Sequence, residues 1–580
     1  MNILKGIPAA PGIAIGRAFV YLDDVIRVPK YTISEDDIDH ERVRFDQASE
    51  RATKELEQLK SNVSSEMEEE RKQLLDAHIL MIRDPEFQNQ IFTKLEEQLN
   101  NVEWILLQVI EVLVDQLNAS SDAYLRERTL DIHDVSRRVL NHLMFRERPS
   151  LSDLSEEVIL IAHNLMPSDA LGMNTQMVRG IAMDEGGKTS HTAILARAFE
   201  IPAVLGLSDI SELIGAGDDV IVDGNKGIVI RRPDEETRQR YLATSREWEK
   251  REVALLTLNE LPATTIDGKH IKLMANIEVP EETESVESHG ADGIGLYRSE
   301  FLFLRPGGFS SEEEQYQAYS SVLHAMKGKP VTIRTLDLGG DKVSQSTHQI
   351  SERNPILGWR AIRFCLSQRP LFLGQLRALL RASVHGDLRI MFPMISGIEE
   401  LEAACEVVDE AKESLRKEGR NFVESIPVGI MIETPSAALT SDILAKKAKF
   451  FSIGTNDLIQ YTIAVDRGNE RIAYLYEPFH PGVLRLIRIV IEHAHAAGIP
   501  VSMCGEMAGD PLAAVLLLGL GLDIYSLSAF TIPEIKQIIR GITVAESEDL
   551  VNMISCMNSN VEIDTYVRQW MNERFQLYTN

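Results

Sequence analysis

Eight short apolar runs, spaced by helix-length segments across residues 261–580, constrain the fold more than any other feature of this sequence. In order they are IKLMAN (271–276), GIGLYR (293–298), VTIRTLD (331–337), LRIMFPM (388–394), VGIMIE (428–433), FFSIGTND (450–457), PVSMCGE (500–506) and DIYSLSA (523–529). Near-continuous apolar runs of this length suit parallel strands covered on both faces. Eight of them alternating with helical segments are what a (β/α)8 barrel requires. Asn276, Arg298, Arg334, Asp337, Glu433, Asn456, Asp457 and Cys504 each stand at or just past the C-terminal end of a run. In a barrel those ends share one rim, so residues distant in sequence would converge there. Polar residues that merely terminate buried strands would explain any one of these, but poorly explain the arginines and carboxylates together.

A chain of 580 residues exceeds what one core can hold, so further domains are expected upstream of the barrel. GIPAAPGIAIGRAFV near the start reads as short strands with glycine turns. Then the period changes. Phe45, Ala48, Ala52, Leu56, Leu59 and Val63 fall at spacings of three and four, as do Val102, Leu106, Val109, Leu113 and Leu117, and Ile132, Val135, Val139 and Leu143. Asp84-Pro85 punctuates this series of amphipathic helices. Strand-like runs return in EEVILIAHNL, QMVRGIAMDEGG, IPAVLG and DDVIVDGNKGIVI. The expectation is an α/β domain over 1–22 and 147–232 with an all-helical insertion at 23–146, a linker helix at 233–260, and the barrel at 261–580.

Composition excludes several classes. A formal charge of -28 argues against nonspecific binding to nucleic acid or anionic lipid. The start MNILKGIPAAPG lacks the long apolar core of a signal peptide, and AAVLLLGLGL (513–522) is too short to span a bilayer. Four cysteines without paired spacing suit a reducing, cytoplasmic compartment and offer neither a disulfide nor a zinc framework.

The chemistry is concentrated in two places. In GGKTSHT (186–192), two glycines permit a tight turn before a helix, Thr189 or Ser190 can cap that helix, and Lys188 adds positive charge. A neutral imidazole at such a helix start carries a free lone pair, so His191 is a candidate phosphoryl acceptor; a structural histidine at the helix start is the alternative. The segment lacks the spacing of a P-loop. On the barrel rim, Arg298, Arg334, Arg360 and Arg467 suit bidentate contacts to phosphate and carboxylate. Glu433 and Asp457 are hard oxygen donors suited to Mg²⁺. Cys504 is either a buried, inert thiol or a proton donor above a reacting carbon.

GGKTSHTAILAR, GIGLYRSEFLF, RTLDLGGDK, NPILGWRAIR, MFPMIS, IMIETPSA, FFSIGTNDLIQYT, AVDRGN and VSMCGEMAGD, with PAAPGIAIG and YLRERTLDIHDV upstream, make the chain closely resemble enzyme I of the bacterial phosphoenolpyruvate:sugar phosphotransferase system over essentially its whole length. The resemblance implies that His191 is phosphorylated on its distal ring nitrogen and that Glu433 and Asp457 hold Mg²⁺. It further implies that Arg298, Arg334, Asn456 and Arg467, with Arg360 beside them, contact phosphoenolpyruvate, and that Cys504 protonates the enolate to give pyruvate. The helices would dock the small histidine-containing phosphocarrier protein (HPr), and the barrel would mediate a homodimer. VSQSTHQISER (343–353) departs from the family pattern, with Arg353 where a second acid is expected. ATP-using relatives such as pyruvate phosphate dikinase share the histidine and barrel motifs but carry a nucleotide-binding domain that no segment here resembles. A catalytically silent docking protein would not need His191, Glu433, Asp457 and Cys504 together.

Overall fold

The computed structural model describes residues 2–21, 28–62, 75, 78–119, 132, 135–144, 151, 154, 156–165, 173–187, 191–303, 309–338, 354–467, 469 and 471–575. Val63, residues 188–190 and the atypical 343–353 segment lie outside the described residues. The chain divides into two compact units, Met1–Lys250 and Arg251–Asn580.

The first unit is built on a mixed eight-stranded sheet in the order β1-β8-β7-β3-β4-β5-β6-β2. Its strands are β1 (Asn2–Lys5), β2 (Ile7–Ala10), β3 (Ile13–Tyr21), β4 (Val158–Ala162), β5 (Val178–Met183), β6 (Ala203–Leu205), β7 (Asp219–Asp223) and β8 (Ile228–Arg231). β3 pairs in parallel with β4, Tyr21 opposite Ala162, although well over a hundred residues separate them in sequence. Between these two strands run the helices α1 (Ile38–Asn62), α2 (Pro85–Gln98), α3 (Val102–Ala119) and α4 (135–143). They are an insertion with a core of their own, in which Phe45, Ala52, Leu56, Leu95, Val102, Leu106, Val109 and Val139 are buried together. Where their side chains are described, the apolar stripes thus turn inward as their spacing requires. Asp84-Pro85 is the start of α2: the Asp84 carboxylate accepts from the amides of Glu86 and Phe87 at 2.7 and 3.3 Å, and Pro85 occupies the first turn, where no amide partner is needed.

The long helix α7 (Glu235–Leu256) follows two shorter ones, α5 (His191–Ala198) and α6 (Ile210–Leu213). Tyr241 on α7 packs against Ile221 and Ile230 of the sheet. No described helix is long and apolar enough to cross a membrane.

The second unit is a closed, all-parallel barrel of β9 (Lys272–Ile277), β10 (Ile294–Arg298), β11 (Pro330–Arg334), β12 (Asp387–Phe392), β13 (Val428–Ile432), β14 (Phe451–Ile453), β15 (Val501–Met503) and β16 (Ile524–Leu527). Each of the eight runs therefore became a strand, and β16 closes the barrel by pairing with β9. Side chains alternate between the faces of each strand. Ile430 and Ile432 join the layer under the surrounding helices, whereas Leu296, Met391, Met431, Phe450 and Cys504 cluster separately inside the barrel. The mixed sheet, its helical insertion and the (β/α)8 barrel make this a multidomain α/β protein.

Candidate active site

Strand parity places the rim residues. Leu296 and Met431 face the barrel interior, so Arg298 and Glu433, two positions further on, face the same way one layer higher. Asn276, near the end of β9, is oriented by three bonds: Nδ2 donates to the carbonyls of Cys504 and Ser526, each at 3.1 Å, and Oδ1 accepts from the Ser526 hydroxyl. Asn456 and Asp457 sit in the first turn of the helix Thr455–Ile463, where the unpaired amides favour a carboxylate.

Three of the rim arginines are held in ion pairs. Arg298 pairs with Glu278. Arg334 donates through Nη2 to Glu300 Oε1 at 3.0 Å and pairs through Nη1 with Asp337 Oδ2 at 3.0 Å. Arg360 donates through Nη2 to Asp337 Oδ1 at 2.9 Å and to Asp457 Oδ2 at 3.3 Å. The result is a line of alternating charge, Glu300, Arg334, Asp337, Arg360, Asp457, crossing from the end of β10 to the helix after β14. Tyr461 secures Arg360 from the side: its hydroxyl accepts from Nη1 at 3.5 Å and donates to the Ile356 carbonyl at 2.5 Å.

Carboxylates outnumber guanidinium groups on this rim, and the excess falls on Glu433. Burial, with Asp457 and Asp337 nearby, pushes its carboxyl up to about 8 despite Arg334 and Arg360. For Asp337, burial acts upward, but Arg334 and Arg360 outweigh it and hold the carboxyl below its usual range. Burial likewise pushes Glu300 up, and Arg334 only partly offsets it. Cys504, just past β15 and 3% exposed, donates weakly to the Ile453 carbonyl at 3.8 Å. Burial raises its thiol above the ordinary range, although the Ser452 hydroxyl beside it acts the other way. Asn456 and Glu506 share two bonds: Nδ2 donates to Oε1 at 3.4 Å, and Oδ1 accepts from the Glu506 amide at 3.0 Å. Tyr476 donates to the Asn456 carbonyl at 3.3 Å, and its own hydroxyl feels the charge of Arg467. Arg467, an exposed residue, is fixed by its backbone amide, which donates to Gln460 Oε1 at 3.1 Å.

His191 lies in the other unit, as the first residue of α5. The preceding loop leaves β5 through Asp184 and turns at Gly186, whose φ of 111° falls where a side chain would be strained. Asp184 is buried and ties the root of that loop: Oδ2 meets His163 Nδ1 at 2.9 Å, and Oδ1 accepts from the Ser211 amide at 3.0 Å.

The structure therefore gathers Arg298, Arg334, Asp337, Arg360, Glu433, Asp457 and Cys504, with Asn456 and Arg467 at the edge. Sequence reasoning passed over Glu278, Glu300, Tyr461 and Asp184. Glu278 and Glu300 had a signal, since each stands two residues past the end of a run, after Asn276 and Arg298; nothing in the sequence marked Tyr461 or Asp184 as partners.

A closed barrel with such a rim, joined to a mixed sheet carrying a glycine-flanked histidine, defines a class of enzymes that use phosphoenolpyruvate. Models of that class match the chain in three segments: "PEP-utilising enzyme, N-terminal" over residues 5–128, "PEP-utilising enzyme, mobile domain" over 154–227 and "PEP-utilising enzyme, PEP-binding domain" over 253–544. Among curated proteins, the chain is 43% identical to phosphoenolpyruvate-protein phosphotransferase of Priestia megaterium over 565 residues, covering 97% of this chain and 98% of that protein. The same enzyme of Bacillus subtilis (strain 168) is 43% identical over 98% of this chain and 100% of its own length. That of Staphylococcus carnosus (strain TM300) is 42% identical over 97% of this chain and 98% of its own. The chain belongs to the phosphoenolpyruvate-protein phosphotransferase family.

Proposed function

We propose that the protein transfers the phosphoryl group of phosphoenolpyruvate to His191 and then to a histidine of a small phosphocarrier protein of the HPr type, the first step of sugar uptake. The observation that carries this reading is the rim itself: arginines for an anionic substrate stand beside an acidic excess centred on Glu433 and Asp457. That excess fits a divalent cation. Two carboxylates, with the remaining positions left to water and substrate oxygens, are the donor set Mg²⁺ commonly takes. Glu433 and Asp457 would hold it, and when bound it would neutralise charge on the phosphoryl oxygens.

The chain's own residues perform the rest. Arg298, Arg334, Arg360 and Arg467 orient the phosphate and carboxylate, with Asn456 at the edge. Arg334 Nε, buried and without a hydrogen-bond partner among the described residues, is one donor a substrate oxygen would satisfy. His191 Nε2 attacks phosphorus in line; the P–O bond to the enolate breaks as the N–P bond forms. The Cys504 thiol then gives its proton to the methylene carbon of the enolate, releasing pyruvate, and the thiolate recovers a proton from solvent. His191 must serve two partners in turn, and residues 233–260 are the proposed hinge. The proposed domain limits are 1–22 with 147–232 for the phosphohistidine domain, 23–146 for carrier docking and 261–580 for a barrel that also dimerises, all in the cytoplasm.

Incubation with Mg²⁺ and phosphoenolpyruvate labelled on phosphorus is expected to give acid-labile, base-stable label on the protein, absent from His191→Ala. Absence of label, or a requirement for ATP, would overturn this function.

A further inference from the structure

We propose that Glu300 is a positioning residue for phosphoryl transfer, holding the Arg334 guanidinium where it meets the substrate. This rests on the reading of the rim as the phosphoenolpyruvate site. Glu300 lies on a 3-10 turn directly after β10 (Ser299–Phe303) and faces the end of β11. One oxygen, Oε1, accepts from both Arg334 Nη2 at 3.0 Å and the Asp337 amide at 3.1 Å. The turn itself is pinned: Ser299 Oγ donates to the Arg334 carbonyl at 2.7 Å and accepts from Gln375 Nε2 at 3.1 Å. Gln375 Oε1 in turn accepts from the Leu336 amide at 3.0 Å. Glu300 is thus a rigid bracket gripping both the side chain of Arg334 and the backbone that carries Asp337.

The partners along this line are shared. Asp337 divides its two oxygens between Arg334 and Arg360, and Arg360 also reaches Asp457. Without the Glu300 charge, Asp337 is the remaining carboxylate paired with Arg334 among the described residues, and any shift there passes along the line to Asp457. Arg298 is held separately by Glu278 and would keep its place. Glu300 acts through Arg334 and touches no substrate, so its loss damages geometry more than binding.

The test uses the full chain with Glu300→Gln, which preserves volume and one acceptor oxygen. The turnover of phosphoenolpyruvate-dependent labelling of His191 is expected to fall about 10²-fold, the scale of a small misplacement of reacting groups. KM should change far less, and back-transfer from phosphorylated carrier to His191 should keep its rate. Adding Glu300→Gln to Arg334→Lys should cost little beyond Arg334→Lys alone, because both act through one group. Unaltered turnover, losses that multiply in the double variant, or equal loss in both directions of transfer would each overturn the proposal. If Arg334→Lys alone behaves as the unaltered protein, it is the reading of the rim that fails. Should Glu300→Gln not fold, ¹⁵N-labelled arginine in the unaltered chain decides: hindered rotation of the Arg334 guanidinium is expected, and free rotation overturns the assignment.

Discussion

A buried thiol holds its proton to higher pH than an exposed one, which suits Cys504 to the proposed role of proton donor. Burial raises it above the ordinary thiol range. If Cys504 is the proton donor, Cys504→Ala should slow pyruvate formation by about 10²–10⁴-fold, the usual worth of a positioned general acid, while back-transfer to His191 continues. The alkaline fall in rate should begin above the pH at which an exposed cysteine ionises, and Cys504→Ala should remove that limb from the profile. Pyruvate release followed from pH 6 to about 10, spanning the ordinary thiol range, checks both. Glu433→Gln and Asp457→Asn make a contrasting pair: each should abolish labelling by phosphoenolpyruvate and Mg²⁺ yet leave back-transfer largely intact. Failure of back-transfer as well would show that the rim carboxylates do more than hold an ion. At this scale the sequence marked which polar residues end the apolar runs but not how they pair. Arg298 meets Glu278, and Arg334 meets Glu300, across neighbouring strand ends, and no periodicity encodes a contact between strands.

Elements were more legible, because burial on both faces of a parallel strand leaves an apolar run that helices do not imitate when glycine and polar breaks bound it. Where expectation and structure diverge, the reason is local. FFSIGTND reads as one run, yet only Phe451–Ile453 is strand; Gly454 ends it, and Thr455–Ile463 is already helix. That early turn is what lifts Asp457 onto a helix start. The glycines between strands and rim are tight. A Cβ on Gly429 would lie 2.6 Å from the Phe450 ring that fills the barrel floor, and one on Gly454 would lie 2.9 Å from Glu433 Oε2. Gly429→Ala should therefore destabilise the protein by about 1–3 kcal/mol, the cost of overpacking a filled core, measurable in a denaturant titration. Gly454→Ala pushes on a proposed metal ligand, so a raised Mg²⁺ requirement for labelling should outweigh any loss of stability. An unchanged Mg²⁺ dependence would separate Glu433 from the ion.

Two compact units, each with its own core, divide the proposed labour between them: one carries His191, the other the rim. The insertion was legible from a change of period, since stripes at three and four interrupt a strand-rich stretch that later resumes, and β3 beside β4 is its consequence. The chain divides within the stretch read as a linker helix, residues 233–260. The charged helix-forming stretch became α7, but the compact units part at Lys250/Arg251, inside it, because Tyr241 commits the first half of the helix to the sheet. Independent cores imply independent folding. A fragment ending at Leu256 should accept phosphate from phosphorylated carrier at His191 but take none from phosphoenolpyruvate. A fragment beginning at Arg251 should bind phosphoenolpyruvate with Mg²⁺, seen as heat in calorimetry and as a raised melting temperature, and carry no label. Mixing the two restores labelling only weakly, since separate molecules lose the effective concentration that the covalent link provides. Were the barrel fragment to become labelled on its own, the acceptor would lie in the barrel rather than at His191.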